Sequence, residues 1–160
     1  MSSFQITGLA PESFKALFEL SDTQLQERHI DRHIADSAPG FPCRVSLTDA
    51  AVGEELLLLS FQHLAQASPY QGIGPIFVRR AATQRAQFID VIPMTLATRL
   101  LSVRAYDKTA RMIDADVTEG AQLHGLIERL LANHAVDYLH VHYARRGCYA
   151  ARVDRVPQTN

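Results

Sequence analysis

Tyr138-Leu-His-Val-His-Tyr-Ala-Arg-Arg-Gly-Cys-Tyr-Ala-Ala-Arg-Val-Asp154 consists of two β-like segments on either side of a short loop. The loop, residues 144–147, ends in glycine, which is typical of a type I turn followed by a left-handed residue. The segment is therefore predicted to form a β-hairpin that turns at Arg145–Gly147. With Gly147 in the left-handed position, the register places His142 opposite Ala150.

This register divides the hairpin into two faces, because directly opposed residues point to the same side of a sheet. The apolar face is predicted to lie on the core and consists of Leu139, Val141, Tyr143, Tyr149, Ala151 and Val153. The second face, which we call the polar hairpin face, consists of Tyr138, His140, His142, Cys148, Ala150, Arg152 and Asp154. The simplest interpretation of the polar hairpin face is a solvated surface. A functional cleft and a metal site are the alternatives.

Length and composition predict a single soluble domain. The chain has 160 residues, of which 47% are hydrophobic and 21% charged, as in an ordinary globular protein. We assign residues 1–160 to one domain and expect residues 155–160 to form a loose tail. No apolar run approaches the roughly 20 residues of a membrane span, and the N-terminus does not resemble a signal peptide. These observations predict a cytoplasmic protein with no membrane partner.

Charge and cysteine content narrow the function classes. The formal net charge of -1 argues against nucleic-acid binding by general phosphate attraction. The two cysteines lie far apart and do not form the framework of a secreted disulfide-rich protein. Apart from Lys15 and Lys108, all the basic residues are arginines. Codon bias explains this preference, and the functional alternative is recognition of carboxylates or phosphates, which planar guanidinium groups bind well.

The order of elements predicts an α+β fold with a largely antiparallel, curled sheet. Helical patterns lie near the N-terminus, at Pro11 and from Asp22 to Arg28. Residues 55–61 are almost continuously apolar and are predicted to form a central strand buried on both faces. This strand would pair with residues 75–79 through a long loop at residues 65–74.

A second group of elements leads into the hairpin. Residues 101–106 and 112–117 alternate in polarity as two paired strands. A helix with Thr118 as its N-cap follows, with an apolar stripe up to Leu131 and an end near Asn133. It is predicted to be the one long amphipathic helix, directly before the C-terminal β-hairpin.

Three parts of the chain together carry a resemblance to a known family. They are Pro39-Gly-Phe-Pro-Cys-Arg-Val-Ser-Leu47, then Ser68-Pro-Tyr70 with Pro75-Ile-Phe-Val-Arg79, and finally His140-Val-His142 with Gly147-Cys-Tyr-Ala-Ala-Arg-Val-Asp-Arg155. The chain resembles a bacterial family, the domain of unknown function 1203 family, over nearly its whole length. The resemblance implies a stand-alone, single-domain bacterial protein. Because the family has no assigned function, the resemblance carries over no catalytic role.

The same three parts contain all the candidate site residues. These are Cys43, Arg44, Ser68, Tyr70, His140, His142, Cys148 and Arg152. The prolines of residues 39–44 restrict the backbone, so this loop can hold Cys43 and Arg44 in a fixed place. We predict that it lies near the polar hairpin face, and that this face forms one wall of the main pocket.

The first functional hypothesis is a site for a small anionic molecule, with or without a reaction. His140 or His142 would act as general acid or base and would add positive charge below about pH 6.5. Cys43 or Cys148 would be the nucleophile if a neighbouring cation activated it.

The anion itself would be held by four other side chains. Arg44 and Arg152 would supply planar, charged donors, and Tyr70 and Ser68 would be further ligand contacts.

Two alternatives stay open. The second hypothesis is a non-catalytic protein that binds a partner or forms a homodimer, with Tyr70, Tyr143 and Arg145 as contacts. The third is a metal site, since a His-x-His pair on a strand points both rings to one side. Because four-ligand spacing and cofactor motifs are absent from the sequence, we predict no tightly bound metal and no cofactor.

Overall fold

The computed structural model describes residues 3–159 and shows an α+β fold that ends in a β-hairpin, as predicted. The strands are β1 (Phe4–Thr7), β2 (Asp31–Ile34), β3 (Glu55–Leu64), β4 (Gly72–Arg79), β5 (Gln87–Ile89), β6 (Leu100–Tyr106), β7 (Met112–Glu119), β8 (Tyr138–Tyr143) and β9 (Tyr149–Arg155). The helices are α1 (Asp22–Glu27), α2 (Met94–Ala97) and α3 (Leu123–Leu131). No helix within residues 3–159 is long and apolar enough to cross a membrane.

The strands form two open antiparallel sheets. The larger sheet has six strands in the order β5-β1-β9-β8-β6-β7, and the smaller has three in the order β2-β3-β4. The hairpin of β8 and β9 therefore lies in the middle of the larger sheet, with β6 on one side and β1 on the other. A central position explains why both faces of the hairpin are covered by other parts of the chain.

The main core lies between the larger sheet and α3. The apolar stripe of α3, formed by Leu123, Ile127, Leu130 and Leu131, is buried against Leu139, Val141, Ala151 and Val153 of the hairpin. Each large aliphatic side chain buried in this way contributes roughly 1.5–3 kcal/mol to the free energy of folding. The predicted amphipathic helix and the apolar hairpin face thus pack on each other.

A second core surrounds the smaller sheet. Leu57 of β3 packs with Phe14, Phe18 and other apolar residues of the N-terminal segment, whereas its neighbour Leu56 packs on the opposite side with Ala35 and Ala50. Successive strand residues point to opposite faces, so β3 is buried on both, as its continuous apolar sequence predicts.

Several element boundaries differ from prediction. The segment that begins at Pro11 forms two short 3-10 turns, Pro11–Ser13 and Lys15–Glu19, and no α-helix. Thr118 lies in β7, which pairs with β6 up to Glu119, so α3 begins only at Leu123 after a 3-10 turn.

Other boundaries agree with the sequence. The capping box of α1 is present, with Ser21 accepting from the backbone N–H of Gln24 and the Gln24 side chain accepting from the Ser21 backbone N–H.

Two strands differ from the predicted ranges. β3 continues to Leu64, three residues past the predicted end, and β5 is a short strand that the sequence analysis did not predict.

The hairpin turn is confirmed, but its register contains a bulge. Gly147 has a φ of 79°, the left-handed conformation that glycine adopts without strain. His142 pairs with Tyr149 and Val141 with Ala151, so Ala150 is an extra residue between them. The predicted pairing of His142 with Ala150 is therefore wrong. Ala150 turns into the main core, and Tyr149 joins the polar hairpin face.

The predicted loose tail is also shorter than expected. Arg155 is the last residue of β9 and pairs with Phe4 of β1. Its guanidinium donates hydrogen bonds to the carbonyl oxygens of Val136 at 2.6 Å and Leu131 at 2.5 Å, which ties the strand to the end of α3. The last residue of the predicted tail, Asn160, lies outside the described residues.

Candidate functional site

The two histidines of the polar hairpin face are buried. His140 is 3% exposed and His142 is 1% exposed. His63, from β3 of the smaller sheet, lies over them, with ring centroids 6.0 Å from His140 and 5.0 Å from His142. The solvated-surface interpretation is therefore wrong for the two histidines, because the smaller sheet brings its own imidazole over them, whereas Arg152 and Asp154 stay half-buried. We call His63, His140 and His142 the histidine cluster.

A β-bulge aims His63 into the cluster. Gln62 pairs with Ile73 and Leu64 with Gly72, which leaves His63 as the extra residue of β3. Its ring stacks on Tyr149 at 5.3 Å with an interplanar angle of 10°. A Cβ on Gly72 would lie 2.5 Å from Nε2 of His63, so only glycine leaves room for this ring. Sequence analysis ended the predicted strand at residue 61 and gave no sign of a role for His63.

Burial keeps the histidine cluster neutral. Loss of solvation lowers the pKa of His140 to about 3, and the neighbouring imidazoles and arginines act in the same direction. Burial also lowers the pKa of His142 to about 4, against an opposing hydrogen bond to Gly147, and lowers the pKa of His63. His140 and His142 therefore stay uncharged well below pH 6.5, the range in which the prediction had them add positive charge for an anion. Imidazoles with such low pKa values are also weak general bases.

The ring of His142 has a defined tautomer. Its Nδ1 lies 3.0 Å from the carbonyl oxygen of Gly147, and its Nε2 lies 3.4 Å from Nη1 of Arg104. A carbonyl only accepts and a guanidinium only donates, so Nδ1 carries the proton and Nε2 accepts. Among residues 3–159, no three side chains of ligating type are arranged to hold a metal ion. Although His63 is a third imidazole beside His140 and His142, Arg104 brings a positive charge to Nε2 of His142, which opposes binding of a metal cation there.

Arg152 is on the polar hairpin face, but its charge is already paired. Its guanidinium donates two-pronged hydrogen bonds to the carboxylate of Asp154 at 2.8–3.0 Å and lies 4.1 Å above the ring of Tyr138.

Ser68 and Tyr70 lie on the loop between β3 and β4. The Ser68 hydroxyl donates to the Ala110 carbonyl at 2.8 Å and accepts from the Tyr70 backbone N–H at 3.0 Å. The ring of Tyr70 packs edge-on against Tyr106, 6.2 Å away, which in turn contacts His140. Tyr70 is therefore separated from the histidine cluster by the ring of Tyr106, and Ser68 stabilises the loop.

Cys43 and Arg44 are neighbours with opposite surroundings. Cys43 is 1% exposed, belongs to the core of the smaller sheet, and accepts a hydrogen bond on Sγ from the Arg79 backbone N–H at 3.3 Å. Arg44 points the other way, toward the hairpin. A buried core thiol has no access to a substrate, so Cys43 does not take part in the site.

Arg44 joins the proline-bounded loop to the hairpin. Although it is only 2% exposed, its guanidinium donates to the carbonyls of Tyr149 at 2.8 Å and Pro42 at 2.6 Å, and to Sγ of Cys148 at 3.1 Å. It also lies 5.0 Å from the ring centroid of Tyr143. Within residues 3–159, no carboxylate pairs with it. The structure thus buries a full positive charge whose partners are neutral.

Arg44 and Cys148 lie on the wall of a cleft of about 670 Å³. The cleft is bounded by the loop of residues 37–44, by Phe77 of β4, by residues 98–100 and by the hairpin turn. Of the eight predicted site residues, the structure brings only these two into the cleft. His140 and His142 belong to the histidine cluster and do not line the cleft.

Three more arginines line this cleft, and sequence analysis did not assign them to the anion site. Arg99 donates two hydrogen bonds to the carboxylate of Asp49, at 2.7 and 3.1 Å. Arg145 and Arg146 are exposed at the hairpin turn, and the described part of the chain supplies no carboxylate partner for either. Glu119 is the acidic side chain on the wall.

The cleft therefore has a net positive charge. We call it the basic cleft. Its volume is typical of small-molecule sites, which span roughly 300–1,000 Å³. Guanidinium groups with unused planar donors bind carboxylates and phosphates through paired hydrogen bonds. The pair of arginines beside the turn glycine is the signal in the sequence that could have identified this cleft.

Comparison with known proteins identifies a family. No curated protein and no solved structure matches the chain. A family model described as "Protein of unknown function (DUF1203)" matches residues 40–155, which include residues 40–44 of the cleft loop, β3, β4 and the whole hairpin. The chain therefore belongs to the DUF1203 family of proteins of unknown function.

Proposed function

We propose that this protein binds a small anionic molecule in the basic cleft, and that it does so in the bacterial cytoplasm. The observation that carries the proposal is the convergence of Arg44, Arg145 and Arg146 on one cleft without a paired carboxylate in the described chain. A fourth guanidinium, that of Arg99, is already neutralised by Asp49. The remaining charge is available to a ligand.

The energetic argument rests on Arg44. Removing a charged group from water is costly unless the protein or a ligand supplies compensating interactions. Two carbonyls and a thiol satisfy three of its N–H donors but leave its charge unbalanced. An anion in the adjacent cleft would compensate that charge at short range, where the dielectric constant is low.

The histidine cluster contributes in a different way. Because its imidazoles are neutral, it does not supply charge to the anion. His142 accepts from Arg104 and donates to the carbonyl of Gly147, the residue next to Arg146. The cluster therefore positions the hairpin turn that carries the two exposed arginines. This arrangement supports ligand binding and provides no general base within the cleft.

Cys148 supplies a direct test, because its half-buried thiol lies in the basic cleft, whereas the thiol of Cys43 is in the core. Iodoacetate is an anion and iodoacetamide is neutral, and both alkylate a thiolate by forming a C–S bond with loss of iodide. The cleft should concentrate the anionic reagent. We expect the ratio of the iodoacetate rate to the iodoacetamide rate at Cys148 to fall roughly tenfold in the double variant Arg145→Ala/Arg146→Ala.

A matched control removes two arginines elsewhere. Arg28 and Arg111 are exposed and do not line the basic cleft, so Arg28→Ala/Arg111→Ala should keep the wild-type ratio. Inorganic phosphate should protect Cys148 from iodoacetate in the wild-type protein. An unchanged rate ratio in Arg145→Ala/Arg146→Ala, with no protection by phosphate, would reject the anion site.

Self-association is a second candidate, supported by a different observation. β7 is an edge strand of the larger sheet, and its Ile113 and Val117 side chains are exposed. Exposed apolar edge strands are sites of pairing between chains. Sedimentation analysis of the wild type and Val117→Lys tests for a dimer through β7. Of the contacts predicted from the sequence, Tyr143 is buried and so does not serve as one.

A further inference from the structure

The basic cleft has an aromatic wall as well as a charged one. Phe41 and Phe77 both line it and lie edge to face, with ring centroids 5.2 Å apart and an interplanar angle of 65°. His33 extends the group, edge-on to Phe77 at 5.6 Å. Both phenylalanine rings are half-buried, so part of each ring is packed against the protein and part faces the cleft.

The aromatic wall is preformed. Phe77 lies in β4 between Ile76 and Val78, which belong to the core on the other face of the smaller sheet. Its carbonyl accepts from the backbone N–H of Arg44 at 3.0 Å, and the carbonyl of Phe41 accepts from Ala50 at 2.9 Å. The hydrogen bond between Arg44 and Phe77 thus fixes the position of the aromatic wall relative to Arg44.

The third ring at the cleft is not available for stacking. Tyr143 has the guanidinium groups of Arg44 and Arg99 at 5.0 and 5.3 Å from its ring centroid. It is also buried, with 7% of its surface exposed. The aromatic surface that a ligand can reach is therefore that of Phe41 and Phe77.

We infer, on the basis of the proposed function, that the ligand is an aromatic anion whose ring packs on Phe41 and Phe77 while its carboxylate or phosphate meets Arg145 and Arg146. A cleft of about 670 Å³ accommodates a substituted ring together with its charged group. Ring-on-ring contacts favour edge-to-face and offset arrangements, which add to the gain from apolar burial. Small anions such as acetate use only the charged wall.

The experiment measures dissociation constants by NMR titration for five probes. They are acetate, inorganic phosphate, benzoate, phenyl phosphate and cyclohexanecarboxylate. We expect benzoate to bind at least about tenfold more tightly than acetate, and phenyl phosphate to exceed inorganic phosphate by a similar factor. Cyclohexanecarboxylate, with a similar size but no aromatic ring, should bind more weakly than benzoate.

Variants separate the two walls. Phe41→Leu and Phe77→Leu keep apolar volume but remove a ring, and each should weaken benzoate binding severalfold without changing acetate binding. Phe61→Leu is the matched control, because Phe61 is a half-buried strand residue that does not line the cleft. Arg145→Ala/Arg146→Ala should weaken the binding of all five probes.

The outcomes distinguish this inference from the proposed function. One outcome is that the arginine double variant weakens the binding of every anion, but benzoate binds no more tightly than acetate or cyclohexanecarboxylate. That result overturns the aromatic assignment and leaves the anion site standing. If benzoate binding depends on Phe41 and Phe77 but not on the two arginines, the anion site itself is overturned. Saturable binding of none of the probes overturns both.

Discussion

Acidification should unfold this protein through its histidine cluster. His140 is surrounded by His63, His142, Arg104 and Arg152, and burial lowers its pKa to about 3. In the unfolded chain the same imidazole has a pKa near 6.5. Between these two values the unfolded state binds a proton that the folded state does not. Stability is therefore fully present above about pH 6.5 and decreases as the pH falls toward 3.

The magnitude follows from the two pKa values of His140. One pH unit in this window corresponds to about 1.4 kcal/mol for one proton. Lowering the pH from 6.5 to 5 should thus remove about 2 kcal/mol of unfolding free energy through His140 alone. His142, whose pKa is about 4, should remove a similar amount. The free energy of unfolding of a domain of this size is only about 5–15 kcal/mol, so the combined effect of the two histidines is large.

The assay is urea denaturation at pH 7 and pH 5, followed by circular dichroism. In His140→Phe, the loss of stability between the two pH values should be smaller than in wild type by about 2 kcal/mol. Each variant is compared with itself at the two pH values, so any packing change caused by phenylalanine cancels. His140→Gln should reduce the loss by the same amount and serves as a second, polar substitution.

His134 provides the matched control for this test. Its side chain is exposed, so it contacts water in the folded and unfolded states alike. His134→Gln should leave the difference between pH 7 and pH 5 as it is in wild type. If wild type and His140→Phe lose the same stability on acidification, the buried neutral histidine cluster is not the source of acid sensitivity, and the reasoning fails.

Three further predictions concern packing and access. Gly72→Ala should destabilise the fold by about 1–3 kcal/mol, because its methyl group meets the imidazole of the cluster at 2.5 Å. Gly74→Ala on the same strand meets nothing within 4 Å and should change stability by less than about 1 kcal/mol in urea denaturation. Leu139→Ala should cost about 2–5 kcal/mol by the same method, since Leu139 is fully buried. Titration with a thiol reagent should modify Cys148 in the native protein and Cys43 only after unfolding; equal rates would contradict the burial of Cys43.

Local patterns predicted the elements and the core. The Gly147 turn, the capping box at Ser21 and the unbroken apolar sequence of β3 each depend on neighbouring residues, and each appears as expected. The alternation of apolar residues in the hairpin also predicted which residues meet α3, with Tyr149 and Ala150 as exceptions. These features were readable because backbone conformation and period-two or helical burial are encoded within a few residues.

The bulges lay beyond that local information. An extra residue at His63 or Ala150 shows no distinctive pattern in the sequence, because each bulge is stabilised by a partner strand. Yet these two positions decide that Tyr149 and His63 stack over the polar hairpin face. For this reason, the hairpin face that the sequence predicted to be solvated contains a buried histidine cluster in the structure.

The amino-acid sequence by itself determined the fold class and the hairpin turn, and it showed that almost all the basic residues are arginines. Only the tertiary structure decided which of these charges are paired within the fold and which line the basic cleft without a carboxylate partner. Arg152 and Arg99 meet carboxylates within the fold, whereas Arg44, Arg145 and Arg146 gather at the basic cleft. The physical reason is that charge pairing and burial depend on distances between segments far apart in the chain. Spacing along the sequence does not contain those distances.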